Sequence, residues 1–129
     1  MGGTTNRIKV LVIDDSESIR TSLKAFLSAF VDFNWVGESS ESRDGLCQIE
    51  TLQPDVVLLD AALNHSDVEQ LTTLIRQRFP LIQVIGITNR HENDHSQRMI
   101  EAGAAMCVPK TASILQMAEA IRSAYHLVF

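Results

Sequence analysis

Ile8-Lys9-Val10-Leu11-Val12-Ile13-Asp14-Asp15-Ser16-Glu17-Ser18 is the stretch whose reading decides the fold. Ile8 to Ile13 is a short run rich in β-branched residues, the pattern of a strand buried on both faces, and it stops at two adjacent carboxylates. Ser16 then offers a helix N-cap, and Ile19, Leu23, Phe26, Leu27 and Phe30 recur at spacings that share one helical face. The order is strand, acidic turn, helix. In an open parallel sheet, ligands gather beyond the carboxyl ends of the strands, where this turn would put Asp14 and Asp15.

The same alternation continues outward from this stretch. Asn34 to Ser39, containing Trp35-Val36-Gly37-Glu38, is less apolar and suits a sheet edge. Ser40 to Leu52 carries Leu46, Ile49 and Leu52 at helical spacing, with Gly45 weakening the helix by about 1 kcal/mol relative to Ala and Pro54 closing it. Asp55 to Asp60 is the most apolar strand, expected at the centre and ending in a carboxylate. Ser66 and Glu69 read as a capping box for a helix striped with Val68, Leu71, Leu74, Ile75 and Phe79 and terminated by Pro80.

Ile82 to Ile87 is a fourth strand ending in Thr88. Asp94 and Gln97 are placed to box the start of a short helix with a thin stripe of Met99, Ile100 and Ala102, ended by Gly103. Ala104 to Val108 is the last strand, and Pro109 assigns it to an edge, because proline cannot donate to a sheet ladder. Ser113 to Tyr125, with Ile114, Met117, Ala118 and Ile121 on one face, is the last helix. Strands alternating with helices over short connections imply an α/β, doubly wound parallel sheet of five strands, in order 2-1-3-4-5, with helices on both faces.

At 129 residues the chain is the size of one domain, read as a disordered lead-in over 1–7 and a folded unit over 8–129. No apolar run approaches the roughly 20 residues that cross a bilayer, and the start lacks the apolar segment of a signal peptide, so the expected location is cytoplasmic. A formal charge of −5 argues against this domain holding nucleic acid, which needs clustered Lys and Arg. Cys47 and Cys107 lie in apolar segments without metal-ligand spacing and read as buried thiols, a disulfide being the alternative. Asn64-His65-Ser66 matches a glycosylation sequon that means little without a secretion signal.

With five parallel strands, one rim carries Asp14 and Asp15, then Asp60, Thr88 and Lys110. Two carboxylates about 4 Å apart repel by roughly 4 kcal/mol at an effective dielectric of 20, so three of them need protonation, an ammonium or a metal ion. Mg2+ suits them, being hard, octahedral and held by one or two carboxylates together with phosphate oxygens. A carboxylate beside such an ion and a lysine is arranged to attack phosphorus, which makes Asp60 the nucleophile. The plain alternative is that these acids are separate strand-end and cap residues.

Val-Leu-Val-Ile-Asp-Asp-Ser, Pro-Asp-Val-Val-Leu-Leu-Asp, Ile-Gly-Ile-Thr, and Gly-Ala followed by a strand and Lys110 together resemble the receiver domain of two-component response regulators over Lys9 to Tyr125. Each piece is weak alone; their order and spacing are specific. The resemblance implies that Asp60 accepts a phosphoryl group from a histidine kinase or phosphotransfer protein. It also implies that Asp14, Asp15, Asp60 and the backbone carbonyl of Ala62 hold Mg2+, and that Thr88 and Lys110 contact the acyl phosphate.

Such a domain catalyses only its own phosphorylation and dephosphorylation, and is not otherwise an enzyme. Val-Gly-Glu-Ser-Ser looks like the branch whose receivers precede a LuxR-type DNA-binding domain, so the chain is expected to be either a single-domain regulator or an excised receiver. The surface made by the helix after Thr88, the last strand and the last helix is the expected partner or homodimer face.

Several residues depart from the pattern. Cys107 stands where the family has an aromatic switch residue, Pro109 precedes Lys110 where proline usually follows the lysine, and Asn89 and Arg90 follow Thr88 in place of a small residue. Ala-Ala-Leu-Asn-His-Ser replaces the usual Met-Pro and glycine-bearing loop after Asp60. The motif for phosphorylation is intact but that for switching is not, and Cys107 and Pro109 motivate the alternative of a receiver-like interaction module with little or no phosphorylation.

Two other readings compete. His91-Glu92-Asn93-Asp94-His95 matches the His-Glu-x-x-His zinc-protease pattern, yet it follows a strand end, contains cap-forming residues and is expected to be a solvated loop. A flavin-nucleotide site is excluded because Asp14 and Asp15 would repel its phosphate.

Overall fold

A computed structural model describes residues 7–63, 67–89 and 93–129. The elements alternate: β1 (Ile8–Ile13), α1 (Glu17–Leu27), β2 (Phe33–Ser39), α2 (Ser42–Leu52), β3 (Val56–Asp60), α3 (Val68–Arg78), β4 (Gln83–Thr88), α4 (Asn93–Ala102), β5 (Met106–Pro109) and α5 (Ile114–His126). All strand pairings are parallel, in the order β2-β1-β3-β4-β5. The doubly wound sheet expected from the alternation is therefore present. β3 lies at its centre with all five residues buried, and β2 and β5 form its edges.

The pleat of the sheet divides the core in two. Val10, Val12, Val56, Leu58, Ile85 and Ile87 face α1 and α5, where Leu27, Met117 and Ile121 meet them. Leu11, Ile13, Val57, Leu59 and Val84 face α2, α3 and α4, where Ile49, Ile75 and Met99 meet them. Successive residues of a strand point to opposite faces, so a continuous apolar run is what two covered faces require. Among the described residues no helix is long and apolar enough to cross a membrane.

Ends of helices follow their local chemistry. Ser16 caps α1, accepting from the Ile19 amide at 3.3 Å, and Ser113 with Gln116 forms a full capping box on α5. Gly103, at φ +119°, ends α4 as expected. At α3 the expectation needs correcting, because the N-cap is Asp67, whose carboxylate accepts from Gln70 N at 2.9 Å. Ser66, expected there, lies outside the described residues, as do the sequon, Arg90, His91, Glu92 and all of the lead-in but Arg7. α4 begins at Asn93, one residue before the start expected at Asp94, whose side chain lies outside what is described.

Four apolar side chains also sit differently from expectation, among them Ile100, which is exposed on α4 while Met99 beside it is buried. Phe26 is half exposed and Leu52 is exposed, because α1 and α2 bury narrow stripes centred on Leu27 and on Gly45 with Ile49. Cys47, expected buried, is exposed, because it lies two positions before Ile49 and so on the opposite side of α2. Cys107 is half-buried, and both thiols are free.

Pro109 is the last residue of edge strand β5, opposite Thr88, where its missing N–H interrupts no ladder. His95 lies on α4 instead of in the solvated loop expected there. Far from the rim, Arg122 donates to Asp32 at 2.8 and 3.2 Å and lies over the Phe30 and Phe33 rings, tying α5 to the turn before β2.

Candidate functional site at the carboxyl rim of the sheet

Because β1 and β3 are hydrogen-bonded neighbours, the turn after β1 and the end of β3 meet at one rim. Asp14, Asp15 and Asp60 each present a carboxylate oxygen, and these oxygens all lie within 4.8 Å of one another. Asp14 and Asp60 are each 2% exposed, whereas Asp15 is open to solvent. From the end of β5, Lys110 Nζ reaches 3.4 Å from Asp60 Oδ1 and 3.7 Å from Asp14 Oδ2. Three carboxylates against one ammonium leave a formal deficit of two positive charges.

Backbone groups hold the acids in place. The Ser16 amide donates to Asp14 Oδ1 at 2.8 Å, and the Ala62 amide donates to Asp60 Oδ1 at 3.0 Å. Ala62 lies in the turn beyond Asp60 and is exposed. Thr88 is buried at the end of β4, and its carbonyl accepts from Lys110 N at 2.7 Å, which sets where the lysine leaves the strand. The residues expected at the rim therefore share it. Cys107 does not, because it lies opposite Gly86 under α4, with Sγ 3.6 Å from the Ser96 carbonyl.

Burial pushes the Asp14 carboxyl above the usual carboxylate range and the charges of Asp60 and Asp15 push it the same way, while the Ser16 N–H and Lys110 pull it back. Ionised Asp14 thus opposes folding when no cation is bound. Its protonated form carries no such penalty below the unfolded value, and stability is lost as pH rises through the raised folded value. Asp14→Asn is expected to raise the unfolding midpoint in metal-free buffer by a few degrees at pH 7, with the advantage shrinking toward pH 4. Thermal melts of both proteins across that range check it.

The donor set is all oxygen, as hard divalent cations require, and it matches the charge deficit. Opposite ligands of an octahedral Mg2+ lie about 4.2 Å apart, twice the metal–oxygen distance of about 2.1 Å. A cluster within 4.8 Å fits after a small closing movement or with one acid bound through water. Among the described residues this is the one such group of His, Cys, Asp and Glu side chains.

Expectation from sequence missed Arg20. From α1 its guanidinium donates to the Asp14 backbone carbonyl and lies 3.6 Å from Glu38 at the end of β2. Its position on the first turns of α1, close to the acidic pair in sequence, was the available signal.

A parallel 2-1-3-4-5 sheet carries this acidic and lysine-bearing rim. Residues 10–122 match the response regulator receiver domain family, and the chain belongs to that family. The response regulator protein VraR of Staphylococcus epidermidis is 32% identical over 118 residues, which are 92% of this chain and 56% of that protein. VraR of Staphylococcus aureus is 32% identical over 115 residues, 89% of this chain and 55% of that protein.

The chain thus spans a little over half the length of these relatives. Among solved structures, the signal receiver domain of the putative response regulator NarL from Mycobacterium tuberculosis superposes with a TM-score of 0.87 at 25% identity, covering 95% of this chain and 98% of that one. The response regulator domain of Thermotoga maritima CheB shares the fold, with a TM-score of 0.84 at 24% identity and coverage of 93% and 97%.

Proposed function

We propose that residues 8–129 form a receiver unit in which Asp60 takes a phosphoryl group from a histidine kinase or phosphotransfer protein in the cytoplasm. The observation that carries this reading is the Lys110 ammonium lying between two buried carboxylates at 3.4 and 3.7 Å, beside a third. In the transfer, an Asp60 oxygen forms the new O–P bond as the donor's P–N bond breaks, and the donor imidazole leaves with the electron pair. Lys110 balances charge on the phosphoryl oxygens as it develops, and the buried rim limits competing water.

Asp14, Asp15, Asp60 and the Ala62 carbonyl are the groups that would hold Mg2+. When bound, the ion would supply the two positive charges that the cluster lacks. Thr88 would meet the phosphoryl group from β4, a local charge change that biases the segment after it.

The face formed by α4, β5 and α5 is the proposed partner or homodimer surface. The unit is proposed to act either as a single-domain regulator or as the receiver of a protein with a LuxR-type DNA-binding output, with no nucleic-acid contact by this acidic domain. Cys107 in the place of an aromatic favours a second reading, an interaction module that is rarely phosphorylated.

Intact-protein mass after incubation with acetyl phosphate separates the two. A gain of one phosphoryl group that requires Mg2+ is expected. The same mass with and without Mg2+, and no beryllofluoride adduct, would favour the module.

A further inference from the structure

Arg20 is bound to the metal-site turn through the backbone, leaving the carboxylates themselves untouched. Its Nη1 donates to the carbonyl of Asp14, the oxygen of the peptide group that joins Asp14 to Asp15. On the other side of Asp14, its amide donates to the Ser39 carbonyl at 3.0 Å. Both peptide groups flanking Asp14 are therefore held, one by β2 directly and one by Arg20.

The guanidinium is in turn seated by Glu38, whose carboxylate lies 3.6 Å from Nε, and by the α1 backbone, where Arg20 N donates to Ser16 O at 3.1 Å. Arg20 is largely covered, at 15% side-chain exposure, which favours a fixed geometry over a loose surface pair.

We infer that Arg20 is a positioning residue that, through the Asp14 carbonyl, fixes the direction in which exposed Asp15 presents its carboxylate beside buried Asp14, and so sets the affinity of the rim for Mg2+. The inference rests on reading the acidic cluster as the Mg2+ site.

Asp14 is held by its own hydrogen bond from Ser16 and by Lys110, and the Asp14–Asp15 peptide plane sets the direction in which the chain enters Asp15. Loss of the guanidinium removes the side-chain hydrogen bond that holds this plane, so the acidic oxygens are less fixed in the arrangement within 4.8 Å of one another. Charge alone predicts the opposite sign, because removing a cation beside a cation site should tighten binding. The two causes are thus distinguishable by direction. Outer-shell partners of metal ligands are typically worth about 10–100-fold in affinity, which sets the scale.

Titration calorimetry with MgCl2 on wild type, Arg20→Gln, Arg20→Lys and Glu38→Gln tests this, with circular dichroism and metal-free melts as fold controls. Arg20→Gln is expected to weaken binding about tenfold with little change in the metal-free midpoint. Arg20→Lys, which keeps the charge and one donor, should recover part of the loss, and Glu38→Gln should weaken binding about threefold.

Unchanged or tighter binding by Arg20→Gln would overturn the inference. Should that variant not fold, Arg20→Lys decides, because it keeps the charge: weaker binding than wild type supports the role and wild-type affinity overturns it. Absence of Mg2+ heat in the wild type would instead refute the metal site itself, and with it this role.

Discussion

Asp60→Asn is expected to leave no phosphoryl adduct under conditions that label the wild type, while folding normally. The amide oxygen can still accept the Ala62 N–H that Asp60 Oδ1 accepts at 3.0 Å, so the turn after β3 keeps its shape. What it lacks is the anionic oxygen proposed to attack phosphorus, and no other rim acid is expected to replace it. Asp14 is tied to Ser16 and Lys110, and Asp15 is exposed on the turn.

Removing one of three converging negative charges also relieves repulsion of roughly 4 kcal/mol per close pair at an effective dielectric of 20, before Lys110 is counted. The metal-free unfolding midpoint should therefore stay level or rise. Mg2+ binding should weaken, since the donor charge falls from three to two. Intact mass, thermal melts and calorimetry read the three effects. An adduct that persists in the variant would remove Asp60 from the acceptor role.

Cys107→Tyr is expected to cost about 1–3 kcal/mol in urea unfolding, as overpacking of a filled core does. Gly86 pairs with Cys107 across β4 and β5, and a Cβ at Gly86 would lie 2.8 Å from Cys107 Sγ and 2.6 Å from Met99 Sδ. Met99 has no exposed surface, and Cys107 Sγ already reaches the Ser96 carbonyl at 3.6 Å. Glycine, thiol and thioether therefore fill one space together, and a phenol ring has to displace Met99 or lift α4.

Met99→Ala combined with Cys107→Tyr should recover part of the loss, with a coupling of at least about 0.5 kcal/mol between the two positions. A phenol ring accepted at no cost, with no coupling to Met99, would mean that the ring lies outside the sheet. In that case the chain could host an aromatic there without rebuilding its neighbours.

Much of this fold was legible in the chain because the decisive signals are local. Two apolar runs ending in aspartate, β1 and β3, need burial on both faces, and their shared polarity at one end orients the whole rim. Lys110 could be placed there because parallel strands end on the same side. The errors arose where position depends on a partner distant in sequence or on a small difference between neighbours.

Phe26 and Leu52 fit helical periodicity, but which side of a helix is covered depends on the sheet it meets, and an apolar neighbourhood in sequence, the ground for burying Cys47, ignores the helical face. Ser66 and Asp67 are both good caps, and the choice turns on one residue of helix phase. Arg20 and Arg122 reveal their roles only once Glu38 and Asp32 are brought beside them in space.

The division of the core into two apolar halves restricts how a message can travel. The sheet is a wall: α1 and α5 lean on one side, and α2, α3 and α4 on the other. Close-packed side chains on either side do not mix, so a shift of α4 has no short route through the interior to α1. The routes that remain go around the β5 edge to α5, or over the top of the wall past the end of β4 and Lys110, and whatever occupies that crest stands at one of the two crossings.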